Sequence, residues 1–146
     1  ISNSSKGKKV KNNSDGVIKA YKLASPGRRY VGELIDSLIS AIIFMLFLSL
    51  GNSIGLSQDI TGWSASLIAA SYFLLSDGLP RGQSLGKKLL GISVIDSITG
   101  ENCSLKQSLF RNLLSPLLGI IDAFFILGKK RQRIGDKLAK TVVIVH

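Results

Sequence analysis

Three charged residues stand at the edge of an apolar segment, where ionisable side chains can do chemistry. Arg29, Glu33 and Asp36 are four and three residues apart, and the next charge is Asp59. At about 100° per residue, a helix places Arg29 within about 20° of Asp36, with Glu33 between them. A carboxylate inside an apolar segment costs several kcal/mol unless it is paired, wetted or protonated. Two interpretations follow: Arg29 neutralises both carboxylates, or the carboxylates bind and release a cation or proton during transport.

The segment that carries these charges is long enough to cross a bilayer. A helix from Val31 to Leu50 rises about 30 Å, roughly the hydrocarbon thickness, so we predict a membrane helix at about 29–50. A second apolar run, predicted as a helix over 60–79, contains small polar residues that suit close helix contact in lipid. The turn at 51–59 holds no Lys or Arg, whereas both far ends of the pair are basic. The positive-inside rule therefore predicts a hairpin with both ends cytoplasmic and Ser57 outside.

A third apolar region predicts a membrane helix at about 107–128, kinked or short. Pro116 interrupts this region, and only 113–127 is cleanly apolar, about 22 Å as a straight helix. Two courses are open: an interfacial helix over 105–114 followed by a short span, or a re-entrant pair. Asp122 lies within the region and is a further candidate for an ion-linked carboxylate.

Two short β-branched runs predict a small β-prone cytoplasmic cap. Ile92–Ile95 and Val142–Val145 are too short to span, and we expect them to pair as strands at the membrane surface. Ser84 has the character of a helix N-cap and begins a short surface helix. The basic residues predicted to contact lipid headgroups are Lys87, Lys88 and Arg111.

The composition is that of a small membrane protein with polar ends. Mean hydropathy is +0.30, and the 146 residues carry a formal net charge of +10. No Lys or Arg lies between Val31 and Pro80. Because the positive charges sit beside the apolar runs, they favour positive-inside topology and attraction to anionic lipids over nucleic-acid binding. Residues 1–25 are predicted to be a disordered basic tail and 26–146 a single membrane domain, all-α in class with a small helical bundle.

The sequence predicts no enzyme, no cofactor and no metal. The glycines at Gly82 and Gly86 lack the spacing of a Walker A loop. Ser84-Leu-Gly-Lys87 matches the Ser-x-x-Lys of penicillin-recognising enzymes, but their companion motifs are missing. One His and one Cys do not make a metal cluster, and Cys103 cannot form an internal disulfide.

Four segments in matching order carry a family resemblance. They are Arg29 with Asp36, the run Gly82–Val94, Arg111-Asn112, and the run Arg131–Val143. Together they resemble the RDD family of membrane proteins, which is named for one Arg and two Asp, over about residues 26–145.

The resemblance also implies which residues matter. By position, the family's arginine is Arg29, with Arg28 as a rival, and its aspartates are Asp36 and Asp136. Glu33 departs from the family, which usually has an apolar or aromatic residue there. Ser84 likewise stands where Thr is common.

The resemblance implies a multi-pass protein of a bacterial inner membrane, with cation/proton exchange suggested for some members. We therefore expect a contribution to cation or proton transport through Asp36, Glu33 and Asp122. Because two or three helices cannot enclose an aqueous path, transport requires a homo-oligomer or a membrane protein partner. The alternative is a non-catalytic membrane adaptor that recruits a soluble partner or anionic lipid through its basic cytoplasmic face.

Overall fold

Helices make up most of the fold, beside one small sheet. The computed structural model describes residues 15–127 and 131–146, without the side chains of residues 119, 120, 122, 123, 125 and 126. The helices are α1 (Pro26–Ser53), α2 (Gln58–Leu75), α3 (Leu85–Leu89), α4 (Leu105–Ile126) and α5 (Ile134–Leu138); the strands are β1 (Ile92–Asp96) and β2 (Thr141–Val145). Two 3-10 turns, Ser76–Gly78 and Pro80–Gly82, connect α2 to α3.

Helices α1 and α2 lie where the sequence predicts two apolar helices, and they pack against each other. Ser25 caps α1, because its Oγ accepts a hydrogen bond from the Arg28 amide at 3.3 Å. Small residues line the contact: Gly51 faces Thr61, and Ser40 Oγ donates to the Ala69 carbonyl at 2.9 Å. The backbones can therefore approach closely, as the small polar residues of the second run indicate.

Helix α1 is long and apolar enough to cross a membrane by length and composition, and among the described residues it is the one helix that meets both criteria. Its most apolar window has a mean hydropathy of 2.2, and only 11% of that window is buried. Large apolar side chains such as Met45 and Leu46 point outward, with 66% and 63% of their surface exposed. Packing within the chain thus leaves most of the apolar surface of α1 uncovered.

The interruption predicted at Pro116 is wrong, because α4 is one continuous helix with the proline inside it. Proline removes one intrahelical hydrogen bond, which is a local cost. Tertiary contacts hold the turns before it: Ser108 Oγ donates to the Leu74 carbonyl at 2.8 Å, and Asn112 Nδ2 donates to the Phe73 carbonyl at 3.1 Å. Neither a separate 105–114 helix nor a re-entrant pair describes this region.

The predicted strand pair is confirmed. Strands β1 and β2 are antiparallel, with Ile92 opposite Val145 and Asp96 opposite Thr141. Both faces of the sheet are buried: Ala24 and Cys103 pack on one face, while Val17, Ile18 and Leu23 pack on the other. We call β1, β2, α3, α5 and residues 15–24 the cap.

Part of the predicted tail belongs to this cap. Residues 15–20 are helical, and Leu23 forms a bridge with Ile144. The predicted disordered tail therefore does not extend to residue 25, because apolar residues in this stretch cover one face of the sheet. Residues 1–14 lie outside the described part of the chain.

A glycine fixes how closely α3 approaches α1, which gives a test of the fold. A Cβ atom at Gly86 would overlap the carbonyl oxygen of Gly32, a backbone atom that cannot rotate away. At Gly62, also helical, a Cβ meets no atom within 4 Å. We expect Gly86→Ala to lower the melting temperature of the purified protein, whereas Gly62→Ala leaves it unchanged or raises it, since alanine favours helix by up to about 1 kcal/mol. The same melting temperature in both variants would contradict this packing.

Candidate functional site

Six buried ionisable side chains form one chain of ion pairs with alternating sign, which we call the buried charge chain. Each has at most 3% of its side-chain surface exposed. Three cations and three carboxylates are present, so the formal charges cancel. In order of contact the members are Arg29, Asp136, Arg111, Asp77, Lys87 and Asp36.

Asp136 is held by two guanidinium groups. Its Oδ2 pairs with Arg29, and its Oδ1 lies 3.0 Å from Nη2 of Arg111. Asp136 also caps its own helix, because its Oδ2 accepts the Arg133 amide at 3.1 Å. Burial by itself would raise the pKa of Asp136, but the charges of Arg111 and Arg29 outweigh it and hold the pKa well below its usual range.

Asp77 occupies the middle of the buried charge chain, on the turn that follows α2. Its Oδ1 lies 2.6 Å from Nζ of Lys87, and its Oδ2 lies 3.3 Å from Arg111 and 3.2 Å from Nδ2 of Asn112. Burial acts to raise the pKa of Asp77, whereas Lys87 and Arg111 lower it further than burial raises it. Asp77 is not among the site residues predicted from the sequence, although an acid directly after an apolar run is a signal for a buried carboxylate.

Asp36 lies at the end of the buried charge chain opposite to Arg29, next to the start of α3. Its Oδ1 accepts hydrogen bonds from the Gly86 amide at 2.9 Å and from the Tyr72 hydroxyl at 3.2 Å. Its Oδ2 accepts from Ser84 Oγ and lies 3.7 Å from Nζ of Lys87. The pair of Asp36 with Lys87 is therefore the longest of the five ion pairs in the buried charge chain.

The predicted pairing of Arg29 with Asp36 is wrong. The two residues do share one stripe of α1, but seven residues separate them by about 10 Å along the helix axis. Other elements bring nearer partners, so Arg29 pairs with Asp136 and Asp36 with Lys87. Arg28 is exposed while Arg29 is buried, so Arg29 and not Arg28 belongs to the buried charge chain.

Glu33 also has a partner other than Arg29. It pairs with the Arg133 guanidinium and keeps 24% of its side-chain surface exposed. Arg133 in turn donates to Ser115 Oγ at 3.0 Å and lies 5.5 Å from the centre of the Tyr30 ring. This second ion pair joins α1 to the start of α5, beside the buried charge chain.

The remaining predicted residues divide into three groups. Headgroup contact is wrong for Lys87 and Arg111, because both side chains are buried in ion pairs. Lys88 is exposed on α3. Asp122 lies outside the described side chains. Among the residues that the structure describes, no group of three or more His, Cys, Asp or Glu could hold a metal ion.

The region of the chain that matches known proteins contains the whole of this site. The family model described as the RDD family matches residues 23–140, a range that includes all six members of the buried charge chain. The uncharacterized protein RP437 of Rickettsia prowazekii (strain Madrid E) is 29% identical over 114 residues, which are 77% of this chain and 65% of that protein. The chain thus spans less than two thirds of the length of that relative. No solved structure matches the chain.

The central position of Arg111 can be tested by removing its charge. In Arg111→Met, Asp77 and Asp136 each lose one cation, and breaking a buried ion pair typically costs about 3–5 kcal/mol. Lys106→Met is the matched control, because Lys106 lies on the same helix but is exposed. We expect the first variant to show a large fall in melting temperature or in monodisperse yield and the control to match the wild type. Equal behaviour would show that the ion pairs of Arg111 do not support the fold.

Acid should weaken the fold through Asp77 and Asp136. Their pKa values are lowered in the folded chain from the ordinary value of 3.8. Their stabilising contribution is therefore complete above about pH 4 and is lost as the pH falls further, by about 1.4 kcal/mol per pH unit for each proton bound on unfolding. Thermal melts in an uncharged detergent between pH 7 and pH 2 measure this loss. A melting temperature that stays constant through the acid range would contradict it.

Proposed function

This chain belongs to the RDD family, and from that membership we propose that it is a multi-pass integral membrane protein that contributes to cation or proton transport. The proposed location is the inner membrane of a bacterium, with the cap on the cytoplasmic side. The proposed ion-linked group is Asp36, the carboxylate that lies within the apolar helix α1.

Exposed apolar side chains on three helices support the membrane location. Besides α1, helix α2 exposes Trp63 and Leu67 by 79% and 70%, and α4 exposes Leu117 and Phe124 by 75% and 70%. In water such surfaces would be costly, and lipid or a second copy would cover them. We therefore propose that α1, α2 and α4 all lie in the bilayer.

The position of Lys87 between two carboxylates carries the transport proposal. Its Nζ lies 2.6 Å from Asp77 and 3.7 Å from Asp36. When Asp36 takes up a proton or a cation, Lys87 keeps its shorter pair with Asp77. Asp36 can thus exchange its charge partner without leaving Lys87 unpaired in a buried site, which would be expensive.

The surroundings of Asp36 suit a small cation as well as a proton. The hydroxyl oxygens of Tyr72 and Ser84 both contact the carboxylate. Carboxylate and neutral oxygens are the ligands that hard cations prefer. In this proposal Asp136 has a structural role, because two guanidinium groups hold it. Glu33 is a second, partly exposed carboxylate near the start of α1, on the same part of the helix as Asp36. A continuous path requires further helices, from a homo-oligomer or a membrane protein partner.

Flux into proteoliposomes made from pure protein tests this function. A pH-sensitive dye inside the vesicles reports proton movement after a pulse of NaCl or KCl outside. We expect a dye response from the wild type that Asp36→Asn abolishes. Asp59→Asn is the control, because Asp59 is an exposed acid at the opposite end of the hairpin. Wild-type vesicles that respond no more than empty vesicles would overturn the transport proposal.

A membrane adaptor is the second candidate, and the charge of the exposed cap surface favours it. Basic side chains that point outward at this end can bind an acidic partner or anionic lipid by electrostatic attraction. In the absence of flux, capture of an acidic soluble partner by the monodisperse protein would support this role. Among the described residues, exposed basic side chains at this end include Lys22, Arg28, Lys88, Lys137 and Lys140.

A further inference from the structure

A cleft of about 240 Å³ opens beside the start of α1, apart from the buried charge chain. Three of its six described lining residues are cationic and none is acidic. Such a concave surface of one charge sign attracts anions. The lining residues are Lys22, Leu23, Ser25, Arg28, Arg131 and Val145.

Backbone hydrogen bonds fix the walls of this cleft. The Lys22 carbonyl accepts the Val145 amide at 2.8 Å, which ties the segment to β2. The Arg131 guanidinium donates to the Ala24 carbonyl at 3.4 Å, and the Arg131 carbonyl accepts from the side chain of Arg29. The backbone that carries the cations on either side of the cleft is therefore held in place before any ligand binds, which lowers the entropic cost of binding.

The start of α1 adds a further positive potential. This helix is 28 residues long, and its aligned peptide dipoles place about half a positive charge at the N-terminus. Ser25, which lines the cleft, is the N-cap residue of the helix. The helix dipole and the three cationic side chains thus favour the same kind of ligand, a compact anion such as a phosphate group.

The position of the cleft along the axis of α1 indicates where that anion comes from. The exposed aliphatic side chains of α1 begin at Val31, directly after the exposed Tyr30. Arg28 lies three residues before Val31, about 4.5 Å along the helix axis. The headgroup layer on each side of a bilayer is about 5–8 Å thick. If α1 enters the hydrocarbon at Val31, the cleft lies at the level of the lipid phosphates.

We propose that this cleft binds the phosphate group of an anionic phospholipid headgroup. The site rests on the membrane location of α1 proposed above, and it does not depend on transport. Arg28 and Lys22 attract the phosphate from the exposed rim, and Arg131 contacts it from the half-buried wall. A zwitterionic headgroup carries its own cation, which the same three side chains repel.

Titration of the purified full chain with short-chain lipids tests the site. Dihexanoyl phosphatidylglycerol is the anionic probe, dihexanoyl phosphatidylcholine is the zwitterionic one, and inorganic phosphate is the free anion. Native mass spectrometry in an uncharged detergent counts the bound molecules and gives a Kd. The test variant is Lys22→Gln with Arg28→Gln. Its matched control is Lys106→Gln with Arg81→Gln, which removes one exposed lysine and one exposed arginine outside the cleft.

We expect the wild type to prefer phosphatidylglycerol, the test variant to bind it about tenfold or more weakly, and the control to change little. Inorganic phosphate that binds as tightly, with the same loss in the test variant, would support the cleft and assign it to the free anion. Equal weakening in both double variants would reduce the effect to diffuse surface attraction and overturn the site. Flux is measured in a separate experiment. If the wild type shows no flux but still prefers phosphatidylglycerol, only the transport proposal is rejected and this site stands.

Discussion

The buried charge chain is the interaction on which the described fold depends most. Moving a charged group out of water costs several kcal/mol even after relaxation, and only good pairing offsets that cost. Here each carboxylate meets at least one cation, and the three positive and three negative charges cancel. Removing any member leaves a neighbour under-compensated, so the chain is expected to act as a unit rather than as five independent pairs.

The members of this chain come from five different parts of the sequence. Helix α1 supplies Arg29 and Asp36, the turn after α2 supplies Asp77, and α3, α4 and α5 supply Lys87, Arg111 and Asp136. Helices α3 and α5 have five residues each, far too few to be stable alone in water. Their position therefore depends on contacts such as the docking of Gly86 onto Gly32 and on the ion pairs. The contacts that position Lys87 beside Asp36 therefore also hold the cap against the long helices.

Two different kinds of packing meet in this molecule. The cap has a core like that of a soluble domain, with Ile92, Val94 and Val143 almost fully buried. The long helices instead expose their largest apolar side chains and bury small or charged ones, such as Ala65 and Ala69 on α2 and Arg29 on α1. This inversion is typical of helices whose surroundings are apolar, since lipid gives no drive to bury leucine. The buried charge chain lies at the boundary between the cap and the long helices, near the start of α1.

The sequence by itself determined the local elements, the strand pair and the family of this protein. Apolar length predicted α1 and α2, β-branched runs predicted β1 and β2, and Ser84 was identified as a helix cap, because each of these signals acts over a few residues. Only the tertiary structure decided which charges meet. Arg29 and Asp136 are 107 residues apart. The spacing on α1 predicted which face of the helix carries Arg29, but it could not reveal that α5 brings Asp136 to that face. Pro116 shows the same limit, since contacts from α2 hold α4 in place where the local signal favoured a break. Ion pairing in a buried site depends on distance in space, and sequence spacing within one helix reports only its own face.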